Sequence, residues 1–289
     1  MSTEAFVLHA RDPRGVVTLT LNRPESFNAL SEGMLAALQK ALDEVGTDET
    51  ARVVVLAAAG KAFCAGHDLK EMRAEPSLGY YEALFAQCTR VMMTLQSLSV
   101  PVIARVQGIA TAAGCQLVAM CDLAVAASTA RFAVSGVNLG LFCSTPSVAL
   151  ARNVPRKQAM EMLLTGDFID AQEARVRGLV NRVAEPDALD AEVESLVQRI
   201  VAKPRVAIAM GKAQFYAHVE VGIAQAYVIA GQAMACNMMD AAALEGVQAF
   251  IEKRPAQWEA HDPTAMKRET PGADADADAD ADANANSPG

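Results

Sequence analysis

The chain has 289 residues, 52% of them hydrophobic and only 5% aromatic, so a sizeable core filled mainly by Ala, Val, Leu and Met is available, in one large domain or two. The formal net charge is −9, but five of the acidic charges sit in a terminal run at Asp274, Asp276, Asp278, Asp280 and Asp282. The mildly acidic remainder argues against a general nucleic-acid surface. No apolar run approaches the about 20 residues that cross a bilayer, which argues against a membrane partner. Met1 to Gly15 reads as too short and too acidic for a transit peptide. The cysteines (64, 88, 115, 121, 143 and 236) and the histidines show no zinc-ligand spacing. They read as free, mostly buried thiols of a reducing compartment, with the cytoplasm as the expected location and no metal.

Val16-Val-Thr-Leu-Thr-Leu21 alternates and ends at Asn22-Arg-Pro24, a strand and a turn. Ser31 before Glu32, Met34, Leu35, Leu38 and Leu42 predicts a capped amphipathic helix. A β-branched run, Arg52-Val-Val-Val-Leu-Ala57, leads into the turn Phe63-Cys-Ala-Gly-His-Asp-Leu69. Tyr80 to Leu98 is helical in pattern. Pro101-Val-Ile-Ala-Arg-Val106 is the next strand, followed by the turn Gly108-Ile-Ala-Thr-Ala-Ala-Gly-Cys-Gln-Leu117, a helix over Gln116 to Cys121 and a strand over Leu123 to Ala127. Repeated strand–helix–strand units favour a parallel sheet with ligands at the strand C-terminal ends. From about Thr145 the pattern is mostly helical: Glu161 to Leu164, Ala171 to Arg177, Asp187 to Val201 and Val206 to Phe250, with a short strand near Leu179 to Val183. Ser144 or Thr145 is the expected cap of the helix that follows Leu141-Phe-Cys143. The alternating Ala-Asp run after Ala273 has no apolar face and carries like charges, which predicts a disordered tail over 263–289.

The two turns are the informative part. Small residues where a strand gives way to a helix let the backbone approach a ligand, and a helix N-terminus leaves N–H groups free to meet it. Two such turns on neighbouring strands can aim one N–H each at a single oxygen, which is an oxyanion hole. At these residues the chain resembles the crotonase superfamily, the enoyl-CoA hydratase/isomerase fold. The likeness runs from about Val16 to Trp258. It includes Leu21-Asn-Arg-Pro24 with Asn28-Ala-Leu30, Cys121-Asp-Leu-Ala124, Ala171-Gln-Glu-Ala174 with Gly178-Leu-Val180, and Glu245-Gly-Val-Gln-Ala-Phe-Ile-Glu-Lys-Arg254. The stretch Gly136-Val-Asn-Leu-Gly-Leu-Phe-Cys-Ser-Thr-Pro146 further resembles the branch called enoyl-CoA hydratase domain-containing protein 3.

The resemblance implies an α/β fold, a spiral of repeated ββα units over 1–200. A helical region over 201–262 would complete the pocket and pack subunits into a homotrimer or a pair of trimers. It implies an acyl-CoA substrate, with coenzyme A as part of that substrate and no separate cofactor. The oxyanion-hole N–H groups would belong to His67 and Ala113. Arg23 would lie near the CoA phosphates, the backbone of Ala65, Asp68 and Leu69 beside the adenine and pantetheine, and Phe250 and Lys253 would reach CoA from a neighbouring subunit. Gly136, Asn138 and Cys143 would line the acyl pocket. Hydratases of this family activate water with two carboxylates, and their positions fall on Gln116 and Gly136, neither of which ionises. Losing a general acid–base group costs about 10²–10⁴-fold, so ordinary hydration is not expected. The His67 imidazole either reaches the acyl chain as an acid–base group or only fixes its turn, and Cys143 reads as a buried thiol rather than a nucleophile. Two functions follow: an enoyl-CoA hydratase/isomerase-like enzyme with altered acid–base chemistry, and a non-catalytic acyl-CoA-binding or sequestering protein. RNA binding is disfavoured by the charge.

Overall fold

The computed structural model describes residues 5–258. The predicted tail over 263–289 lies outside them. Three consecutive strand pairs build the core, and each divides its members between two sheets. β3 (Val53–Ala58), β5 (Val102–Val106) and β7 (Leu123–Ala127) lie side by side in a six-stranded sheet, completed by β1 (Val7–Arg11), β2 (Val16–Leu21) and β10 (Arg182–Ala184). Their partners β4 (Ala62–Cys64), β6 (Ile109–Thr111) and β8 (Arg131–Ala133) lie side by side in a four-stranded sheet that β9 (Ile169–Asp170) closes. Among the described residues only β1 on β2 and β9 on β8 run antiparallel. Each pair is followed by helix: α2 (Leu69–Ala74) and α3 (Leu78–Ser97), then α4 (Ala113–Met120), then α5 (Ser144–Asn153). This is the expected spiral of ββα units.

The period of two along β3 explains why the large sheet is buried on both faces. Val54 and Leu56 face the main core, with Leu19 and Leu21 of β2 and with Leu35, Leu38 and Leu42 of α1 (Glu32–Thr47). Val53 and Val55 face the other way and meet Leu189, Val193 and Val197 of α8 (Leu189–Val201). Ser31 caps α1 as predicted, its hydroxyl accepting from Met34 N at 3.1 Å.

Several boundaries differ from the sequence pattern, for local reasons. The helix expected from Gln116 begins at Ala113, because the small residues before it belong to its first turn. Neither Ser144 nor Thr145 caps α5. Cys143 holds that position without a side-chain capping bond to the helix, and Ser144 is the first helical residue. The helical run over Val206 to Phe250 is three helices, α9 (Arg205–Val219), α10 (Ile223–Met238) and α11 (Ala241–Glu252). Asp240 starts the last by accepting from Ala242 N at 2.9 Å. Between β8 and α8 the chain also forms α6 (Arg156–Thr165) and α7 (Ala171–Val176).

One buried ion pair ties the helical region to the core. Lys212 of α9 donates to Asp122 Oδ2 at 2.7 Å and to the carbonyls of Leu95 and Val100 at 2.8 and 3.0 Å. Tyr216 donates to Asp122 Oδ1 at 2.9 Å, and Val102 N to Oδ2 at 2.7 Å. Burial pulls the Lys212 pKa down, and Asp122 opposes it. Among the described residues no helix is long and apolar enough to cross a membrane.

Candidate functional site

The two small-residue turns lie against each other. Gly66 adopts φ +92°, and a Cβ placed on it would stand 3.0 Å from Ala112 Cβ, 3.2 Å from Thr111 O and 3.3 Å from Ala113 N. A side chain at Gly66 would therefore drive the turns apart. Gly114 is tighter still: a Cβ there would lie 2.1 Å from Cys64 O, so glycine is what lets α4 press on the end of β4.

Backbone bonding leaves the relevant N–H groups open. Leu30 N donates to Gly66 O at 2.7 Å, and Asp68 N to Leu30 O at 3.4 Å. This short parallel bridge uses the residues on either side of His67 and leaves His67 N–H aside. Ala113 is the first residue of α4, a position whose N–H has no intrahelical acceptor. Ala112 before it sits at φ +50°, an uncommon conformation for alanine, while its own N–H donates to Ala133 O at 3.0 Å. Among the described residues neither His67 N–H nor Ala113 N–H has an acceptor in the protein.

The side chains around this contact are distinctive. Gln116, one turn along α4, is only 6% exposed, and its Oε1 has no partner among the described residues. The His67 ring meets Phe85 of α3 edge-on, 5.4 Å between centroids, with Nδ1 3.3 Å from Leu30 O. Its pKa is lowered by burial, against the Leu30 bond, and its Nε2 is buried with no partner among the described residues. Gly136 has no room for a side chain. A Cβ there would meet Leu141 O at 2.6 Å and Cys143 Sγ at 2.7 Å, and Gly136 N donates to that sulfur at 3.2 Å. Burial pushes the Cys143 thiol pKa up. Cys64, Cys88 and Cys115 are pushed up to about 12 by burial, so these are thiols, not thiolates. Cys236 departs from the buried pattern and is exposed.

The remaining candidates are placed as follows. Asp68 caps α2, its carboxylate accepting from Lys70 N and Glu71 N. Ala65 N donates to Phe27 O, and Leu69 is half exposed. The Arg23 guanidinium lies over the Phe6 ring at 3.9 Å. Asn138 donates to Gly166 O at 3.3 Å. Phe250, 86% exposed, and Lys253, in a left-handed conformation, belong to the end of α11. There Phe250 lines an apolar groove of about 390 Å³ with Val206, Ala242, Val247 and Trp258. That helix packs on α10. Sequence reasoning missed Phe85 and the Leu30 carbonyl as neighbours of His67. It also missed Asn28, buried with φ +54°, which accepts from Arg23 N and donates to the carbonyls of Ala59 and Ala62. Asn28 thereby holds the loop beneath the first turn. Its motif was visible, but nothing in one sequence shows which distant carbonyls it joins. Among the described residues no group of three His, Cys, Asp or Glu side chains is placed to hold a metal.

Two sheets sharing ββα units, with small-residue turns meeting at their strand ends, define a crotonase-type fold, and the chain belongs to the enoyl-CoA hydratase/isomerase family, whose model matches residues 11–261. Within it, the resemblance to the branch of enoyl-CoA hydratase domain-containing protein 3 stands. The human mitochondrial protein of that name is 43% identical over 254 residues, 88% of this chain and 84% of its own length. Its crystal structure superposes with a TM-score of 0.85, covering 88% of this chain and all of that one at 42% identity. A solved structure described as an enoyl-CoA hydratase of Mycobacterium smegmatis is 68% identical, with a TM-score of 0.88, covering 88% of this chain and 99% of that one. These relatives correct one expectation. The human, rat and mouse proteins are named mitochondrial, so the cytoplasmic assignment drawn from composition and the N-terminal residues does not stand.

Proposed function

We propose that this chain binds acyl-CoA thioesters and holds the thioester carbonyl between the main-chain N–H groups of His67 and Ala113. The observation that carries the reading is the contact of Gly66 with residues 111–113, which puts two N–H groups without protein acceptors on adjoining turns. As an enolate develops, negative charge gathers on that oxygen, and each aimed donor is worth about 3–4 kcal/mol to the transition state. Arg23, Ala65, Asp68 and Leu69 would meet the CoA moiety from one subunit, and Phe250 and Lys253 from its neighbour in a trimer. The acyl chain would run toward Gln116, Gly136, Asn138 and Cys143. No separate cofactor is required.

The activity this supports is enoyl-CoA hydratase/isomerase-like, with hydration weaker than a carboxylate pair provides. A second reading, binding without turnover, draws on the crowding at Gly136, where Leu141 O and Cys143 Sγ occupy the space a second carboxylate side chain would need.

Both readings are tested with the wild-type full chain. Calorimetry should show butyryl-CoA binding at least about tenfold more tightly than the thioether analogue that lacks the carbonyl, a difference of about 1.4 kcal/mol. Equal affinities would overturn the carbonyl site. With crotonyl-CoA, turnover well below the ordinary ~10 s⁻¹ supports the enzyme reading, and binding with none supports the second.

A further inference from the structure

The strands beneath the two turns are not paired evenly. β4 and β6 run parallel with Ala62 opposite Ile109, yet Cys64 stands opposite Ala110. Phe63 is therefore an extra residue, and β4 carries a bulge. Carried forward in step, the pairing after the bulge sets Gly66 beside Ala112 and His67 beside Ala113. The close approach of Gly66 to Ala112 Cβ and Ala113 N agrees with that register. Without the extra residue, the pairing at Ala62 would bring Gly66 beside Ala113 and leave His67 one residue out of step. The bulge thus decides which N–H of the first turn meets the second. Phe63 itself is fully buried in the main core, so sliding β4 by one residue would turn its ring out.

Two side-chain amides converge where the bulge begins. Ala62 O accepts from Asn28 Nδ2 at 2.9 Å and from Gln107 Nε2 at 3.0 Å. Asn28 also donates to Ala59 O at 2.8 Å, and Gln107 to Ala58 O at 2.9 Å and Gly60 O at 3.2 Å. The loop between β3 and β4 is thereby gripped from two sides. Turned the other way, the Gln107 amide would set its oxygen against three carbonyl oxygens, which fixes its orientation. Gly108 lets this grip close, since a Cβ there would stand 2.0 Å from Lys61 O. Asn28 is buried at φ +54°, and its neighbours bond the turn directly: Ala65 N donates to Phe27 O and Leu30 N to Gly66 O. Gln107 in turn lies between β5 and β6, the strand that leads to Ala113. We propose that Asn28 and Gln107 are positioning residues for the thioester carbonyl, clamping the β4 bulge in the register that sets His67 N–H beside Ala113 N–H. This rests on the carbonyl reading above, and both amides act through the main chain of β4.

The test repeats the calorimetric comparison of butyryl-CoA with its thioether analogue on full-chain variants. Gln107→Leu keeps the bulk and removes the donors, and Gln107→His restores one N–H. Asn28→Gly removes the amide while keeping a left-handed backbone comfortable. The wild-type preference for the thioester, about tenfold, should fall to about twofold or less in Gln107→Leu and Asn28→Gly, with thioether affinity within about twofold of wild type. Gln107→His should regain part of the preference. Infrared spectra of bound butyryl-CoA, isotope-labelled at the carbonyl, provide a second readout. The carbonyl stretch, lowered in the wild type by two donors, should move back toward the free ligand's position in both variants. A merely structural role lowers both affinities together and leaves their ratio and the carbonyl stretch as in the wild type; that result, or no change at all, overturns the clamp. If Asn28→Gly fails to fold, the Gln107 variants decide. A wild type with no preference for the thioester instead defeats the carbonyl reading itself.

Discussion

Gly136 shows how one residue without a side chain restricts the chemistry around it. The nearest atoms to a Cβ at that position are a main-chain oxygen of Leu141 and the sulfur of Cys143, both closer than any real Cβ tolerates. Gly136→Ala should therefore cost about 1–3 kcal/mol, the usual penalty of overpacking, read as a shift in the urea midpoint. Adding Cys143→Ala should recover only part, because the Leu141 carbonyl stays in place. Full recovery would mean that sulfur alone sets the crowding. The same geometry bears on the proposed chemistry: a carboxylate at this position requires a rebuilt 136–143 loop, not a single substitution. At this scale the sequence was informative about what is missing, since Gln116 and Gly136 are legible as non-ionisable residues. It was silent about what takes their place, because the approach of Cys143 to Gly136 depends on a left-handed turn at Gly140 and the path of the loop.

Among the elements, α9 depends on a polar anchor. Its Lys212 side chain is only 6% exposed and is held by Asp122 and two carbonyls, while Tyr216, one turn on, donates to the same carboxylate. Removing one partner of such a pair strands a buried charge, which costs about 3–5 kcal/mol. Lys212→Met should destabilise by that order in chemical denaturation, and Lys212→Met with Asp122→Asn should recover part of the loss. An effect within about 0.5 kcal/mol, the range of ordinary surface changes, would show that α9 is held by its apolar contacts instead. The strands β3, β5 and β7 were legible as β-branched runs because each is long enough to show its character. β4, β6 and β8, of three residues each, were not. So short a segment is strand only because a neighbour supplies its hydrogen bonds.

For the whole molecule, the unexplained feature is exposed apolar surface on α10 and α11. Phe250 is 86% exposed, Ile223 and Met239 78%, and Tyr227 75%. None of the α10 residues is buried. A helix with this composition covers itself against a partner or aggregates, and the proposed trimer would provide the cover while bringing Phe250 and Lys253 to a neighbouring site. Sedimentation equilibrium should give three times the chain mass or a multiple of it. Tyr227→Glu should shift the distribution toward monomer and weaken butyryl-CoA binding together. A monomeric wild type at micromolar concentration would remove both the trimer and the shared CoA site.

Residue order alone determined the family, the alternation that builds the large sheet and the two small-residue turns, because period, β-branching and glycine placement are local properties. The tertiary structure alone decided that the turns touch, that the His67 ring is held by Leu30 and Phe85, that Gln116 Oε1 is buried without a partner among the described residues and that Cys143 fills the space beside Gly136. Each of those facts joins residues far apart in the chain. No local pattern encodes such a distance; it follows from how the two sheets and α4 pack.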